Sequence, residues 1–525
     1  MNQVAVTKTS GRSTAVVAAI ALIGLAYGVS LGLGWPQQGT HAIVAADHSN
    51  QDEIAHDADD AGHDPADNSA PPLWTVAPFV LLLAAIATFP LMHFTMHWWE
   101  SNLNRFKIAG SLAALTLLYY LLLHGNAIEG HWPAHHVADP TSSAVQFNLV
   151  RTVLENAILG EYIPFIVLLF SLYTINGGIR ITGDLQANPI TNALFMAAGG
   201  VLASLIGTTG AAMLLIRPLL ETNRQRKYVA HTLVFFIFVV CNAGGLLLPL
   251  GDPPLFLGYL NGVAFLWTLK LWKSWLLVNG LLLIVYFAWD HFYAYPREAQ
   301  RDIARDKTLV RPLSFLGLWP NALLLAGVVF AVGLLDPSKP FPGTEWHPGL
   351  YLREAVELGL VLLSLWLGSR AVRVANSFNF GAIVEVAALF IGIFICMQPA
   401  LEILNVRGPR LGLDTPHEFF WASGSLSAVL DNAPTYLVFF KTAWAMSPNP
   451  SELTATGGVD EALLMGISLG SVFMGAMTYI GNGPNFMVKA IAESSGVKMP
   501  SFFGYLLYSI GVLLPILALN VWLFL

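Results

Sequence analysis

Apolar runs close to the length of a bilayer crossing recur from one end of the chain to the other. No other feature constrains the fold as much. A spanning helix needs roughly 20 apolar residues. Runs near that length cover 15–34, 74–96, 108–124, 162–176, 232–247 with 255–267, 271–289, 315–335, 354–367, 382–401, 463–480 with 486–491, and 502–525. Lipid cannot satisfy backbone N–H and C=O groups, so a chain of such runs is expected to be an all-α polytopic membrane protein. Two more runs, 190–220 and 418–440, are interrupted near their middles by small and polar residues. They read as helical hairpins that enter and leave on one side. The expectation is about eleven transmembrane helices plus two re-entrant hairpins.

Composition agrees. Hydrophobic residues make up 55% and charged residues 11%, against roughly 25% charged in soluble domains. The mean hydropathy is +0.60. A net charge of -7 gives nucleic acid nothing to bind; the expected surroundings are membrane lipid. Cys241 and Cys396 both lie in apolar runs, so neither a disulfide nor a Cys-rich metal site is expected. The first run has two readings. Lys8 and Arg12 precede it and small residues follow at Ala42–Ala46, which fits a retained helix or a cleaved signal peptide.

Basic residues set the orientation. Arg180; Arg217, Arg224, Arg226 and Lys227; Arg297, Arg301, Arg305, Lys307 and Arg311; Arg370 and Arg373; and Lys489 and Lys498 all fall on the inner side if the N-terminus is cytoplasmic. Lys270 and Lys273 fall outside. The C-terminus then lies outside, as does the acidic stretch with His48, Asp52, Glu53, His56, Asp57, Asp59, Asp60, His63 and Asp64. The expected layout is an N-terminal helix and outer loop over 1–72, a first half over 73–294, a basic linker over 295–313, and a second half over 314–525.

Each half shows the same order: a polar-tipped hairpin, then a long helix broken by Gly and Pro. The first copy covers 188–267 and the second 415–494. An odd number of crossings separates them, so they are inverted. Paired broken helices in inverted repeats point to a transport site near the midplane. Broken helices expose N–H groups toward anions and carbonyls toward cations.

Four motifs supply the candidate ligands. The first hairpin tip holds Gly207-Thr208-Thr209-Gly210, where Thr208 and Thr209 offer adjacent hydroxyls or a small-residue helix contact. The first break runs from Asn242 through Gly251-Asp252-Pro253-Pro254. An intramembrane aspartate is costly and marks function by default; Asp252 also suits capping of a helix starting at Pro253. The second tip holds Ser427, Asp431, Asn432, Pro434 and Thr435. The second break reads Gly481-Asn482-Gly483-Pro484-Asn485, with amides where the first has an acid. Asp252 and Asp431 are expected to share one cavity if the halves close face to face.

Glu161 and Glu385 are further intramembrane acids, read as proton relays or, for Glu385, as partner to a charge in the bundle. Arg151 and Glu155 are spaced i,i+4 and read as a structural pair. His93 and His97 are also i,i+4, a metal-compatible spacing, but they sit at a cytoplasmic helix end with no third ligand following and read first as interface anchors. His131, His135 and His136 form a second outer cluster, with weak cation binding or a hydrophilic loop as its readings. No metal site is expected.

At these motifs the chain resembles the ion-transporter superfamily of NhaD-type sodium/proton antiporters, arsenite permeases and sodium-coupled di- and tricarboxylate carriers. Within it, the resemblance points to the bacterial citrate-transport or sodium:proton antiporter branch. The residues carrying it are Gly207–Leu214, Asn242 through Pro254, Ser427 through Pro434, and Gly481 through Asn485. Such antiporters carry acids at positions matching Asp252 and Asp431. Their Asp-Asn-x-Thr-Thr in the first hairpin is Ile206-Gly207-Thr208-Thr209 here, and the carriers' Ser-Asn-Thr occurs at neither tip.

The resemblance implies a scaffold domain, a transport domain with elevator-like movement, a homodimer and a bacterial inner-membrane location. Three functions stand open. The first is sodium/proton antiport at Asp252 and Asp431, with sodium as transported or coupling ion and no cofactor. The second is cation-coupled carriage of citrate or another small organic anion. The third is a membrane metalloenzyme at His93 and His97.

Overall fold

The computed structural model describes residues 2–54, 70–90, 92–447 and 454–525, with no side chains described before 15 or over 46–54. Helix dominates. Among the described residues eight helices are long and apolar enough to cross a membrane, and shorter apolar helices run over Leu73–Thr88, Leu318–Leu334 and Glu461–Met477. The chain is an all-α polytopic membrane protein. Among the described residues the few strands form two short antiparallel pairs, Ile128–Gly130 with His136–Ala138 and Arg180–Asp184 with Arg311–Leu316.

Two compact units divide the residues. One takes the chain up to 82, 93–179 and 317–399; the other takes 83–92, 180–316 and 400–525. Each unit therefore draws on both halves of the repeat. The break at 399/400 falls at Pro399, inside helix Gly381–Arg407.

The second unit holds both hairpins and both broken helices. The hairpins begin by the same device. Asn188 caps Pro189–Ile206 through the Thr191 N–H at 2.8 Å. Thr415 caps Pro416–Ser427, and Glu418 returns the favour to the Thr415 N–H at 2.9 Å. A polar cap followed by proline starts a helix sharply because the first N–H groups have no intrahelical partner. The donors at Asp414 and Thr415 hold the exposed Glu418 carboxyl below its ordinary range.

The first hairpin turns at Gly207, whose φ of 82° disfavours any side chain, and returns as Thr208–Thr222. The second turns over Ala428–Asp431 and returns as Asn432–Met446. The helices leading into the breaks, Ala230–Val240 and Glu461–Met474, are apolar nearly all round. They lie inside the unit, as such a pattern requires.

Three expectations need correction. The run 74–96 is not one helix: the helical part ends at Thr88, and His93 sits in a turn before the short helix Met96–Trp99. His93 and His97 therefore do not share a continuous helical face, and His97 lies 3.6 Å from Glu100 instead. The stretch after Trp35 begins as a helix, Trp35–Ile54, rather than a loop. Of the acidic and histidine-rich segment, His56, Asp57, Asp59, Asp60, His63 and Asp64 lie outside the described residues, as do the side chains of His48, Asp52 and Glu53. Finally, the end of the basic linker and the start of the second half, 311–316, form a strand paired with 180–184.

Candidate transport site

Four helices of the second unit start at one place. Asp252 precedes Pro253–Leu260, Asn482 precedes Gly483–Ser494, and Thr208 and Asn432 open the returning arms of the hairpins. Hydrogen bonds tie all four together. Thr208 Oγ1 donates to Asp252 Oδ1 at 3.2 Å and Asn482 Nδ2 to the same oxygen at 3.1 Å. Asn432 Nδ2 donates to Asp252 Oδ2 at 2.8 Å. The Thr208 N–H donates to the Gly251 carbonyl at 2.8 Å.

Asp252 is only 1% exposed. It occupies the cap position of its helix, yet its side chain caps nothing. The carboxylate is turned instead toward donors from both hairpins and the other break. Each helix start carries roughly +0.5 of a charge and favours an anion there. Burying a charge is tolerable only when paired and hydrogen-bonded; three neutral side-chain donors supply the hydrogen bonds but no counter-charge.

A second layer joins the breaks. Asn242 Nδ2 donates to Asn485 Oδ1 at 2.8 Å and to the Ile237 carbonyl at 2.9 Å. Asn485 Nδ2 donates to the carbonyls of Gly475 and Thr478 at 2.9 and 3.0 Å. Asn482 Nδ2 also lies 3.1 Å from the Cys241 carbonyl. Carbonyls freed by the breaks are thus held by asparagine amides rather than by helix N–H groups.

Asp431 plays a different part. It is half-buried and caps its own helix through the Ala433 N–H at 3.1 Å. The cap places Asn432 against Asp252. Thr435 Oγ1 donates to the Asp431 carbonyl at 3.0 Å, and Ser427 Oγ to the Ser471 carbonyl at 2.7 Å. Gly251 is required by space: a Cβ there would sit 2.0 Å from the Gly245 carbonyl oxygen. Thr209 is half-buried and its side chain makes no hydrogen bond among the described residues.

The structure thus brings Thr208, Asn242, Gly251, Asp252, Asn432, Asn482 and Asn485 into one bonded cluster. Ser427 and Thr435 brace the second hairpin beside it. Glu161 and Glu385 belong to the other unit. Glu385 pairs with Arg105 at 3.0 Å, the bundle partner foreseen as one of its two roles. Arg151 and Glu155 pair at 2.7 Å.

Sequence reasoning missed two features. Thr478 acts as a clamp: its hydroxyl donates to the Ala428 carbonyl at 2.6 Å and accepts the Ile480 and Gly481 N–H groups. Its place at the head of the break was the available signal. Asp290 is fully buried and held by Arg226, His231 and Tyr286. It follows directly on an apolar run, so it reads as a helix-end acid.

Many apolar helices, two helical hairpins and paired broken helices around one buried acid define a multi-pass membrane transporter. The family model described as "Putative citrate transport" matches residues 68–525, and the chain belongs to that family. A search of curated proteins finds no match.

Proposed function

We propose that this transporter is a sodium/proton antiporter in which Asp252 carries the exchanged cation. One observation carries the reading: Asn432, whose Nδ2 bonds Asp252, has its Oδ1 buried with no donor in reach among the described residues. A buried acceptor left without a donor costs about 1–3 kcal/mol. A sodium ion beside the carboxylate removes that cost, because hard cations take oxygen ligands. A proton on Asp252 competes for the same charge, and competition between the two yields exchange. Elevator-like alternating access of the site-bearing unit, in a homodimer in a bacterial inner membrane, completes the proposal.

The test uses inverted membrane vesicles with an imposed pH gradient. Added sodium or lithium should dissipate the gradient with the native chain and not with Asp252→Asn. No dissipation by a native chain shown to be folded sinks the reading. A second reading, sodium-coupled carriage of citrate or a similar organic anion, draws support from the four converging helix starts and from the family's description. Sodium-dependent uptake of radiolabelled citrate, with no gradient dissipation, would select it.

A further inference from the structure

The first unit carries a small outer hairpin, and its register settles which side chains meet. Strands Ile128–Gly130 and His136–Ala138 pair antiparallel, with Glu129 opposite Val137 and Gly130 opposite His136. Carried one step beyond the strands, the same register sets His131 against His135, whose rings are 5.9 Å apart. Side chains two apart on a strand share a face, so Glu129 and His131 point the same way. Residues directly opposite share a face too, which adds His135. Burial follows the same alternation: Ile128 and Gly130 are buried, while Glu129, His131 and His135 are exposed. His136 belongs to the other face, because a Cβ on Gly130 would strike its ring.

From this placement we infer that Glu129, His131 and His135 form a binding site for a divalent transition-metal cation, zinc above all. Their candidate ligand atoms lie within 4.8 Å of one another, and the two imidazole rings are 5.9 Å apart. Zinc bonds of about 2.0–2.2 Å require ligand atoms roughly 3.3 Å apart in a tetrahedron. Exposed side chains close that difference by rotating.

The backbone beneath them is already fixed. Asn156 accepts from the His131 N–H at 2.7 Å and donates to the Glu129 carbonyl at 2.8 Å. The side chains of Glu129 and His135 make no hydrogen bond or ion pair among the described residues. Two imidazoles and one carboxylate suit zinc and its neighbours and not magnesium or calcium, which take oxygen ligands. Three protein ligands leave a fourth position to water.

Asn156 lies in the π-helical turn Glu155–Tyr162. Asn156, not the metal, ties the hairpin backbone to that turn, which also bears Glu161. None of these residues takes part in the Asp252 cluster, so the site stands whether or not the antiport reading does.

The experiment titrates the metal-stripped, tag-free full chain in detergent with zinc and reads stoichiometry by calorimetry. Any zinc taken by the acidic N-terminal segment is common to all variants, so the difference between variants decides. The His131→Ala/His135→Ala pair should bind one equivalent fewer than the native chain. Glu129→Gln should weaken that equivalent by about 10-fold or more, as loss of a metal-site partner does, and His136→Ala should keep it. Cobalt should give tetrahedral d–d absorption with the native chain and His136→Ala only. Equal zinc stoichiometry in the double variant and the native chain overturns the site, as does loss of the equivalent in His136→Ala alone. If the double variant does not purify, His135→Gln carries the same readouts.

Discussion

The two broken helices share a frame and differ at the residue that matters. Gly251-Asp252-Pro253-Pro254 and Gly481-Asn482-Gly483-Pro484 occupy matching places in their repeats. In each, a glycine packs against the carbonyl of the glycine six residues before it, Gly245 or Gly475. The first break presents a carboxylate, and the second presents an amide that donates to it at 3.1 Å. Exact twofold repetition would bring two acids together in a buried space, where both could not stay charged. The asymmetry resolves that conflict: one repeat supplies the charge and the other supplies the donor.

Asp431 extends the contrast. It is also an acid at the start of a half-helix, but it spends its side chain on the Ala433 N–H. Equal residue types at equal helix positions thus do different work, one as cap and one as ligand.

The sharpest way to break the comparison is to transpose the acid. Asp252→Asn should reduce exchange in vesicles to background at native expression. The double change Asp252→Asn/Asn482→Asp should not restore it. A carboxylate at 482 would face the Cys241 carbonyl and Asn242 Oδ1, both acceptors. Recovered exchange would mean that the repeats are interchangeable after all.

Next in size is backbone space. Gly251→Ala should cost about 1–3 kcal/mol or more by overpacking, read as lower thermal stability in detergent. Gly483→Ala should shift it by less than about 0.5 kcal/mol, since nothing lies within 4 Å of a Cβ there. Similar losses at both would place the constraint elsewhere.

Asp431→Asn comes third. Asparagine caps as well as aspartate does, so the fold should persist and any loss reports charge alone. A loss of about 10-fold, or about 1.4 kcal/mol, is expected in exchange rate at neutral pH. An unchanged rate would reduce Asp431 to a cap.

The smallest effect is at the mouth of the second hairpin. Thr415→Ala should loosen the first turn of Pro416–Ser427 by about 1 kcal/mol, read by amide hydrogen exchange. Glu418 adds a pH dependence of known sign. Its folded-state affinity for protons is lowered, so its contribution is full above the ordinary glutamate range and fades as pH falls through the lowered value. Exchange at the Asp414 and Thr415 amides should rise only in acid.

Much of this was legible in the sequence because membrane burial makes polar residues conspicuous. Asp252, Asp431 and both Gly/Pro breaks stand out in apolar surroundings, and the hairpin tips lie at Gly207 and just before Asn432. The partners did not show. Nothing local says that Asn242 bonds Asn485, 243 residues away, or that the Asp252 side chain forgoes capping and accepts from Asn432 instead. The pairing of 180–184 with 311–316 escaped because short strands carry almost no periodic signal. His93 and His97 misled because an i,i+4 spacing means a shared face only if the helix continues.

The cage around Asp252 holds a single acid, and that fixes its electrical behaviour. In the proposed antiport, trading one sodium for one proton there moves no net charge, so the exchange would be indifferent to membrane voltage. Only the vacant, anionic form would feel the field, by up to roughly 2.3 kcal/mol per 100 mV for a charge crossing the whole of it. A current accompanying transport would require a second acid to trade its proton in the same cycle, and the site-bearing unit offers Asp431, one residue from the amide that holds Asp252.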